Sequence, residues 1–199
     1  MDLIVISGLP ASGKSTVARL LQAAFPYPIL EKDRMKECLF DTLGFQSHDE
    51  KRRLDAAAAR ILLQTAEELM NTGGSVILDN NFDTAAGAAL KALQARLRPR
   101  SVTLLLTADE KVLYDRYLAR DLAHTRHPGH AVSDRYPPLP GDPDVTPMVR
   151  EGFAQRYLSR GMGDVCWDGP VLHVDTTDLE ALDRAALLDR VRAALDAQS

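Results

Sequence analysis

Short aliphatic runs alternate along the chain with longer segments in which apolar residues recur at helical spacing. This alternation is typical of βαβ units built around a parallel sheet. We predict five strands, at residues 3–7, 28–31, 75–78, 102–106 and 171–174. The first contains an unbroken aliphatic run from Leu3 to Ile6, which is too short for a signal peptide or a membrane span and suits a buried strand.

The segments between the predicted strands carry helix signals. Residues 15–24, 34–43 and 84–97 are predicted helices. Three further helices are predicted from capping boxes, in which a Ser or Thr is followed three residues later by Glu. These boxes are Ser47 with Glu50, Thr107 with Glu110, and Thr177 with Glu180; the first helix is expected to end near Asn71, the second near Ala123, and the third is the last of the chain.

One segment, residues 124–147, departs from this alternation. It contains six prolines and three histidines but few apolar residues. A loop of this length in a compact domain is usually functional or disordered. Because it follows the helix after the fourth strand, we expect it to form a mobile lid over a ligand site.

Composition narrows the class of protein. A chain of 199 residues that is 45% hydrophobic can form one domain with a sizeable core, and we predict a single domain over residues 1–199. The formal charge of −4 gives no electrostatic footprint for duplex nucleic acid. The two cysteines form no disulfide framework or metal-ligand spacing, so a cytoplasmic enzyme is the expectation.

The strongest chemical signal is the sequence GLPASGKS, from Gly8 to Ser15, which fits the Walker A pattern GxxxxGK[ST]. Glycines let the backbone curl after a strand, so that successive N–H groups point at phosphates. The helix that follows adds the positive end of its dipole. We expect Lys14 to reach the β- and γ-phosphates of ATP and Ser15 to ligate Mg²⁺. The predicted nucleotide contacts in this loop are Gly8, Ala11, Ser12, Gly13, Lys14, Ser15 and Thr16.

Asp79 ends the third strand and is a candidate Mg²⁺ ligand and substrate-binding residue, although a strand-end aspartate without a ligand is an alternative. Asn80 follows it, where ATP-hydrolysing motors often carry a glutamate that activates water. The chain also lacks the NKxD element with which GTPases read guanine. Both absences favour phosphate transfer to an organic hydroxyl over hydrolysis.

Asp33 and Arg34 follow the second strand, and the carboxyl ends of strands line the ligand crevice in a doubly wound sheet. Asp33 is therefore a candidate general base for the acceptor hydroxyl, and Arg34 a candidate substrate contact. An alternative role for Asp33 is the N-cap of the next helix.

Arginines approach the expected lid. Arg116 and Arg120 are four residues apart and share one helical face, and Arg126 follows. Arginines that close over a transferring phosphate stabilise its charge, so Arg120 and Arg126 are candidate catalytic residues, although solvated surface arginines are common. His127 lies in the sequence RHPGH and is a candidate substrate contact; a turn around Pro128 and Gly129 is the alternative reading of this segment.

The elements GLPASGKST, EKDR, ILDNNF and RYLAR together resemble the P-loop small-molecule and polynucleotide kinases, which include zeta toxins, chloramphenicol phosphotransferase and 5′-polynucleotide kinase domains. The resemblance implies an α/β P-loop NTPase fold, with a five-stranded parallel sheet in the order 2-3-1-4-5. It also implies that Asp33 activates the acceptor, that Arg120 contacts the transferring phosphate and that Arg116 lies near the nucleotide. Thr176 and Thr177 fall where such kinases often contact adenine.

We therefore predict an ATP- and Mg²⁺-dependent kinase that acts on a hydroxyl of a small molecule. Three alternatives stay open: a 5′-hydroxyl polynucleotide kinase, a nucleotide-sugar kinase like the zeta toxins, and an ATP-binding switch without efficient transfer. A polynucleotide kinase requires a basic groove that leads to Asp33. The candidates for such a groove are Arg34, Lys36, Lys51, Arg52 and Arg53.

Overall fold

The computed structural model describes residues 1–82, 84–132, 134–141, 147–157 and 168–198. Five strands in this part of the chain form one sheet. They are β1 (Asp2–Gly8), β2 (Ile29–Glu31), β3 (Val76–Asp79), β4 (Arg100–Thr107) and β5 (Val171–Asp175). All neighbouring strands are parallel, and their order is β2-β3-β1-β4-β5. The predicted strand order is confirmed.

Helices connect the strands and cover both faces of the sheet. They are α1 (Lys14–Ala24), α2 (Lys32–Leu43), α3 (His48–Asn71), α4 (Thr84–Leu97), α5 (Glu110–Leu122), α6 (Pro128–Ala131), α7 (Arg150–Tyr157) and α8 (Arg184–Asp196). No helix among the described residues combines the length and the hydrophobicity needed to cross a membrane.

Successive side chains of β1 point to opposite faces of the sheet, and all residues of this strand are buried. Ile4 and Ile6 point to the core formed with α1 and α8. Leu3 and Val5 point to the opposite core, formed with α3 and α4. A central parallel strand buried on both faces needs apolar side chains at every position, which explains the unbroken aliphatic run.

Three helix starts differ from the sequence expectation or refine it. Ser47 caps α3 as predicted, with its hydroxyl accepting a hydrogen bond from the Glu50 amide at 3.2 Å, but the Glu50 carboxylate accepts from the Gln46 amide. The capping box predicted for α5 was wrong: Thr107 ends β4, and Asp109 precedes the helix.

The capping box predicted for the last helix was also wrong. The Thr177 hydroxyl accepts a hydrogen bond from the Asp109 amide at 3.0 Å and therefore holds the loop before α5. The helix begins only at Arg184, where Asp183 is the cap and accepts from the Ala186 amide. Leu179 and Leu182, which were expected on this helix, lie instead in the loop that leads to it.

Candidate active site

The carboxyl ends of β1, β2 and β3 open into one large cleft of about 1220 Å³. The loop after β1 and the start of α2 form one part of its lining. The first turns of α3, the end of α5, α6 and the end of α7 form the rest. Ligands bind at this edge in open α/β sheets, so the sheet topology by itself points to the cleft.

The loop between β1 and α1 has the conformation that phosphate binding requires. Gly13 adopts a φ of +84° immediately before α1, and Ala11 a φ of +66°. The left-handed conformation is costly for alanine, and such local strain is commonly retained at functional sites. A Cβ on Gly8 would lie 2.6 Å from the Leu106 carbonyl oxygen of β4, so only glycine fits there. Leu179 packs against Gly13 from the loop after β5.

Lys14 extends across this loop. Its ammonium donates hydrogen bonds to the carbonyl oxygens of Gly8 at 3.1 Å and Leu9 at 3.0 Å. Burial lowers the pKa of Lys14, while the nearby carboxylates of Asp79 and Asp33 raise it and so favour the charged form. The side chain therefore lies beside the curled backbone, and its charge interacts with both candidate functional aspartates.

Ser15 and Asp79 form the candidate metal site. The Ser15 hydroxyl donates a hydrogen bond to Asp79 Oδ2 at 3.0 Å, and both residues line the cleft. Burial raises the pKa of Asp79 to about 6, against the lowering effects of Lys14 and the Ser15 hydroxyl. A bound cation would offset the cost of this buried carboxylate. Mg²⁺ is usually held by one or two protein oxygens together with substrate phosphates, and this pair fits that requirement.

Two asparagines that follow Asp79 also line the cleft. The side-chain oxygens of Asn80 and Asn81 are buried and have no hydrogen-bond partner among the described residues. Buried polar atoms without partners are uncommon in folded proteins, so the two asparagines are further candidate residues of the site. From the sequence, Asn80 served only to argue against hydrolysis, and neither residue was predicted as a ligand contact.

Asp33 lies in the first turn of α2 and faces the cleft. Glu31, not Asp33, occupies the N-cap position, so the capping role proposed as an alternative for Asp33 is not observed. Burial raises the pKa of Asp33, but the positive charges of Lys36, His130, Lys32 and Lys14 outweigh it and lower the pKa to about 2. The carboxylate is therefore ionised at every physiological pH.

Arg34, the next residue of α2, lines the rim of the cleft, and its guanidinium lies 3.0 Å from the Glu31 carboxylate. Thr16 lines the cleft on the other side, in the first turn of α1. Neither residue contacts the deeper groups described above. Both therefore remain candidate ligand contacts at the edge of the site.

Arg116 and Thr176 stabilise the backbone around the cleft through hydrogen bonds. Arg116 donates hydrogen bonds to the carbonyl oxygens of Thr176 at 2.8 Å and Thr177 at 3.0 Å, so its guanidinium ties α5 to the end of β5. Thr176 is fully buried, and its hydroxyl lies 2.8 Å from the carbonyl oxygens of both Ser12 and Thr107. In this arrangement the Thr176 side chain has no exposed surface for adenine and instead supports the loop that contains Ser12.

Replacing Thr176 with valine should remove the side-chain donor to the Ser12 carbonyl at nearly constant volume. Leaving a buried acceptor without a partner costs about 1–3 kcal/mol, and the loop should also bind ATP more weakly. The free energy of unfolding in urea and the Kd for ATP measure the two effects. Thr176→Ser retains the hydroxyl and is the matched control. Unchanged stability and ATP affinity in Thr176→Val would show that the hydroxyl does not support the loop.

Arg120 and Arg126 differ in the contacts that their guanidinium groups make with neighbouring residues. Arg126 donates a hydrogen bond to the Tyr117 hydroxyl at 2.9 Å, stacks on the Tyr117 ring and lies 3.4 Å from Asp121. Arg120 makes no hydrogen bond or ion pair with any residue that the structure describes. Its charge acts on both Lys14 and Asp33, which places it over the same part of the cleft.

His127 and His130 hold the start of the expected lid segment against α2. The His127 ring lies 3.0 Å from Asp41 and accepts from the Gly129 amide, and His130 lies 2.9 Å from Glu37. Both rings contact Phe40. The HPGH sequence therefore forms a short helix, α6, rather than the turn expected around Pro128 and Gly129.

The same segment is also fixed to α3 and to the loop before it. Tyr136 pairs with Phe45 in an isolated antiparallel bridge, and the Lys51 ammonium donates to the carbonyl oxygens of His130 and Val132. Residue 133 and residues 142–146 of the expected lid, 124–147, lie outside the described residues. The predicted mobility of the lid stays a prediction.

Comparisons with known proteins agree with this geometry. A family model described as an AAA domain matches residues 3–139, which include the loop after β1, Asp33, Asp79 and Arg120. The chain belongs to this family. Among curated proteins, none is similar enough in sequence to match.

Solved structures extend the likeness of this AAA domain protein to nearly its whole length. A candidate kinase from Chloroflexus aurantiacus is 31% identical, with a TM-score of 0.80 and 97% of each chain covered. Kti12 from Chaetomium thermophilum, solved with ADP-AlF3, is 21% identical with a TM-score of 0.64, covering 97% of this chain and 98% of its own. A sugar kinase from Janibacter sp. is 16% identical with a TM-score of 0.55, covering 98% of this chain and 95% of its own. The predicted P-loop kinase resemblance is confirmed.

Two cleft residues of this AAA domain protein were not found by sequence reasoning. Arg156 and Tyr157 lie at the end of α7, beyond the residues that the family model matches. The short helix that carries them has few apolar positions, so hydrophobic periodicity does not reveal it. Helix α7 packs on α5 through Phe153, which contacts Tyr114 and Tyr117.

Proposed function

We propose that this protein is a kinase that transfers the γ-phosphate of ATP to a hydroxyl of a small-molecule acceptor. The observation that carries the proposal is the convergence of four groups on one cleft. The curled loop with Lys14 would bind the phosphates, Ser15 with Asp79 would hold Mg²⁺, and Asp33 faces the same space from α2. The similarity to solved kinases supports a phosphotransferase of this fold.

Each of these residues has a separate role in the in-line transfer of the γ-phosphate. The acceptor oxygen forms a bond to the γ-phosphorus while the bond to the β–γ bridging oxygen breaks, and its electron pair leaves with ADP. The hydroxyl proton passes to the Asp33 carboxylate. Mg²⁺, when bound, would supply charge neutralisation at the β- and γ-phosphate oxygens. Lys14 and Arg120 add positive charge where negative charge spreads over the transferring group.

The basicity of a carboxylate limits how Asp33 acts. A carboxylate is a weak base toward an alcohol, so Asp33 does not remove the proton before transfer begins. Phosphoryl transfer passes through a loose transition state in which the acceptor oxygen is only partly bonded. Asp33 therefore orients the hydroxyl by accepting its hydrogen bond, and takes the proton once the new bond to phosphorus makes that proton acidic.

Transfer of label from γ-labelled ATP with Mg²⁺ tests the proposal. The acceptor panel comprises nucleosides, sugars, aminoglycosides, chloramphenicol-like alcohols, nucleotide sugars and 5′-hydroxyl oligonucleotides. We expect at least one small-molecule acceptor to be labelled well above a Lys14→Ala blank, which loses the ammonium beside the phosphates. ATP binding with no label on any acceptor would instead favour an ATP-dependent switch.

A 5′-hydroxyl polynucleotide kinase is the second candidate, and one observation favours it. Four of the five residues expected in a basic groove, Arg34, Lys36, Lys51 and Arg52, line the cleft that contains Asp33. The oligonucleotide in the panel tests this alternative directly.

A further inference from the structure

The charge of the cleft is opposite to the charge of the chain. The residues that line the cleft include eleven lysines and arginines but only five carboxylates, an excess of six positive charges in the described lining. The whole chain carries a formal charge of −4. The triphosphate of ATP accounts for the cations at the loop after β1, but basic residues also line the opposite part of the cleft, on α3 and α7.

Some of these cations are already neutralised by neighbours. Lys32 and Lys36 both lie within about 3 Å of the Asp55 carboxylate, at 3.1 and 2.9 Å. On the rim, Arg34 lies 3.0 Å from Glu31, and Arg52 lies 3.9 Å from Asp49. Arg126 also has a carboxylate neighbour, since it lies 3.4 Å from Asp121. Lys51 and Arg156 line the cleft and have no carboxylate within 4 Å among the described residues.

Lys51 is the most buried of the cleft cations that have no carboxylate partner. Its side chain comes from α3, the residue is only 8% exposed, and it has no carboxylate within 4 Å among the described residues. Two of its three N–H groups donate to the carbonyl oxygens of His130 and Val132, and one remains. Burial and the positive charges of Lys36, Arg156 and Arg126 lower the pKa of Lys51 to about 8.

Arg156 faces this group from α7. Its guanidinium lies 5.6 Å from the centre of the Tyr157 ring, and within the described chain it has neither a hydrogen bond nor an ion pair. Holding Lys51 and Arg156 near each other costs electrostatic energy that an anion between them would recover. Arginine forks bind carboxylate and phosphate groups in a bidentate manner.

We propose that the acceptor carries an anionic group, a phosphate or a carboxylate, in addition to the hydroxyl that receives the phosphate. Arg156 and Lys51 bind this group, and the hydroxyl lies at Asp33. This proposal rests on the proposed kinase function and specifies its substrate class. The cleft volume of about 1220 Å³ exceeds the roughly 300–1,000 Å³ of a typical single-ligand site, so a nucleotide and a second small ligand fit side by side.

A small anion fits the arrangement better than a polynucleotide. A nucleic-acid strand needs a basic path that continues along the surface. Here the exposed cations of the rim, Arg34 and Arg52, have acidic neighbours, while Lys51 is buried. The main chain of α6 and Val132 covers Lys51 directly.

Binding of simple anions to the nucleotide complex tests the proposal. The full chain is first saturated with a non-hydrolysable ATP analogue and Mg²⁺, so that the loop after β1 is occupied. Inorganic phosphate and acetate are then titrated separately by calorimetry. We expect saturable binding of at least one anion, about 10- to 100-fold weaker in Arg156→Gln, since a hydrogen bond to a charged group is lost. The stronger probe indicates whether the natural group is a phosphate or a carboxylate.

Arg150→Gln is the matched control, because Arg150 belongs to the same helix but pairs with Glu110 at 3.5 Å outside the cleft. It should bind the anions as the wild type does. The proposal is overturned if neither anion binds saturably, if Arg156→Gln binds like the wild type, or if a 5′-hydroxyl oligonucleotide binds the complex more tightly than the small anions. Failure of the ATP analogue to bind would instead overturn the kinase function.

Discussion

Replacing Arg120 with alanine should lower the rate of phosphate transfer by about 10³-fold or more, the range found for arginines that stabilise a transferring phosphoryl group. Arg120 ends α5, and its guanidinium has no hydrogen-bond or ion-pair partner among the described residues. The residue is exposed and lines the cleft, so its guanidinium is accessible to a ligand. Negative charge spreads over the transferring phosphate, so the interaction is strongest in the transition state.

The expected kinetic signature follows from this differential binding. An interaction made mainly in the transition state changes kcat, whereas one made equally in the ground state changes KM. We therefore expect Arg120→Ala to lower kcat with little change in the KM for ATP. Arg120→Lys keeps a charge but loses the planar fork, and its rate should fall between those of the alanine variant and the wild type.

Lys111→Gln is the control, since Lys111 lies on the same helix, is exposed and pairs with Asp115 at 2.6 Å. Its activity should match that of the wild type. A kcat for Arg120→Ala within tenfold of the wild type would mean that Arg120 is not placed over the transferring phosphate. Steady-state kinetics with the acceptor found in the labelling panel provide the measurement.

The parts of this structure that follow from local pattern were predictable. The aliphatic runs of β1 and β4 and the Walker A spacing are signals within a few residues, because a buried parallel strand and a phosphate loop each constrain consecutive positions. The strand order came from the resemblance rather than from the pattern. It brings Gly8 and Asp79 to one edge of the sheet, as the expected nucleotide and metal site requires.

The parts that depend on distant contacts were not predictable. Thr177 matches a helix cap in sequence, but its hydroxyl is taken by the Asp109 amide, 68 residues earlier. Thr176 matches a position for a nucleotide contact, but its hydroxyl is directed into the protein toward Ser12. Arg116 shares a helical face with Arg120, yet its guanidinium also donates to two backbone carbonyls. In each case the hydrogen-bond partner lies far along the chain and gives no local sequence signal.

The packing of the cleft wall on the acceptor side could not be predicted from the sequence either. Phe40 contacts Phe45, His127, His130 and Tyr136, and so joins α2 to the segment after α5. A Cβ on Gly129 would lie 2.5 Å from the Phe40 ring. This close packing places α6 over Lys51. A Pro-rich segment with few apolar residues gives no sequence signal for such a contact, because its packing depends on an aromatic residue about 90 positions earlier.

Replacing Asp33 with asparagine should lower phosphate transfer by about 10²- to 10⁴-fold, the usual contribution of a positioned proton acceptor. Asparagine retains the size of the side chain but cannot take the hydroxyl proton. The positive charges around Asp33, from Lys36, Lys32 and Lys14, remain and favour the triphosphate. ATP affinity should therefore be unchanged or slightly higher, while kcat falls.

Asp49→Asn is the control for the loss of a carboxylate. Asp49 lies in the first turn of α3, as Asp33 lies in the first turn of α2, but it is highly exposed and lies outside the cleft lining. It should transfer phosphate at the wild-type rate. Single-turnover transfer and ATP titration separate chemistry from binding in both variants. If Asp33→Asn transfers phosphate as fast as the wild type, the proton of the acceptor goes elsewhere and the role assigned to Asp33 is wrong. If it loses ATP binding as well, Asp33 supports the nucleotide site rather than the acceptor.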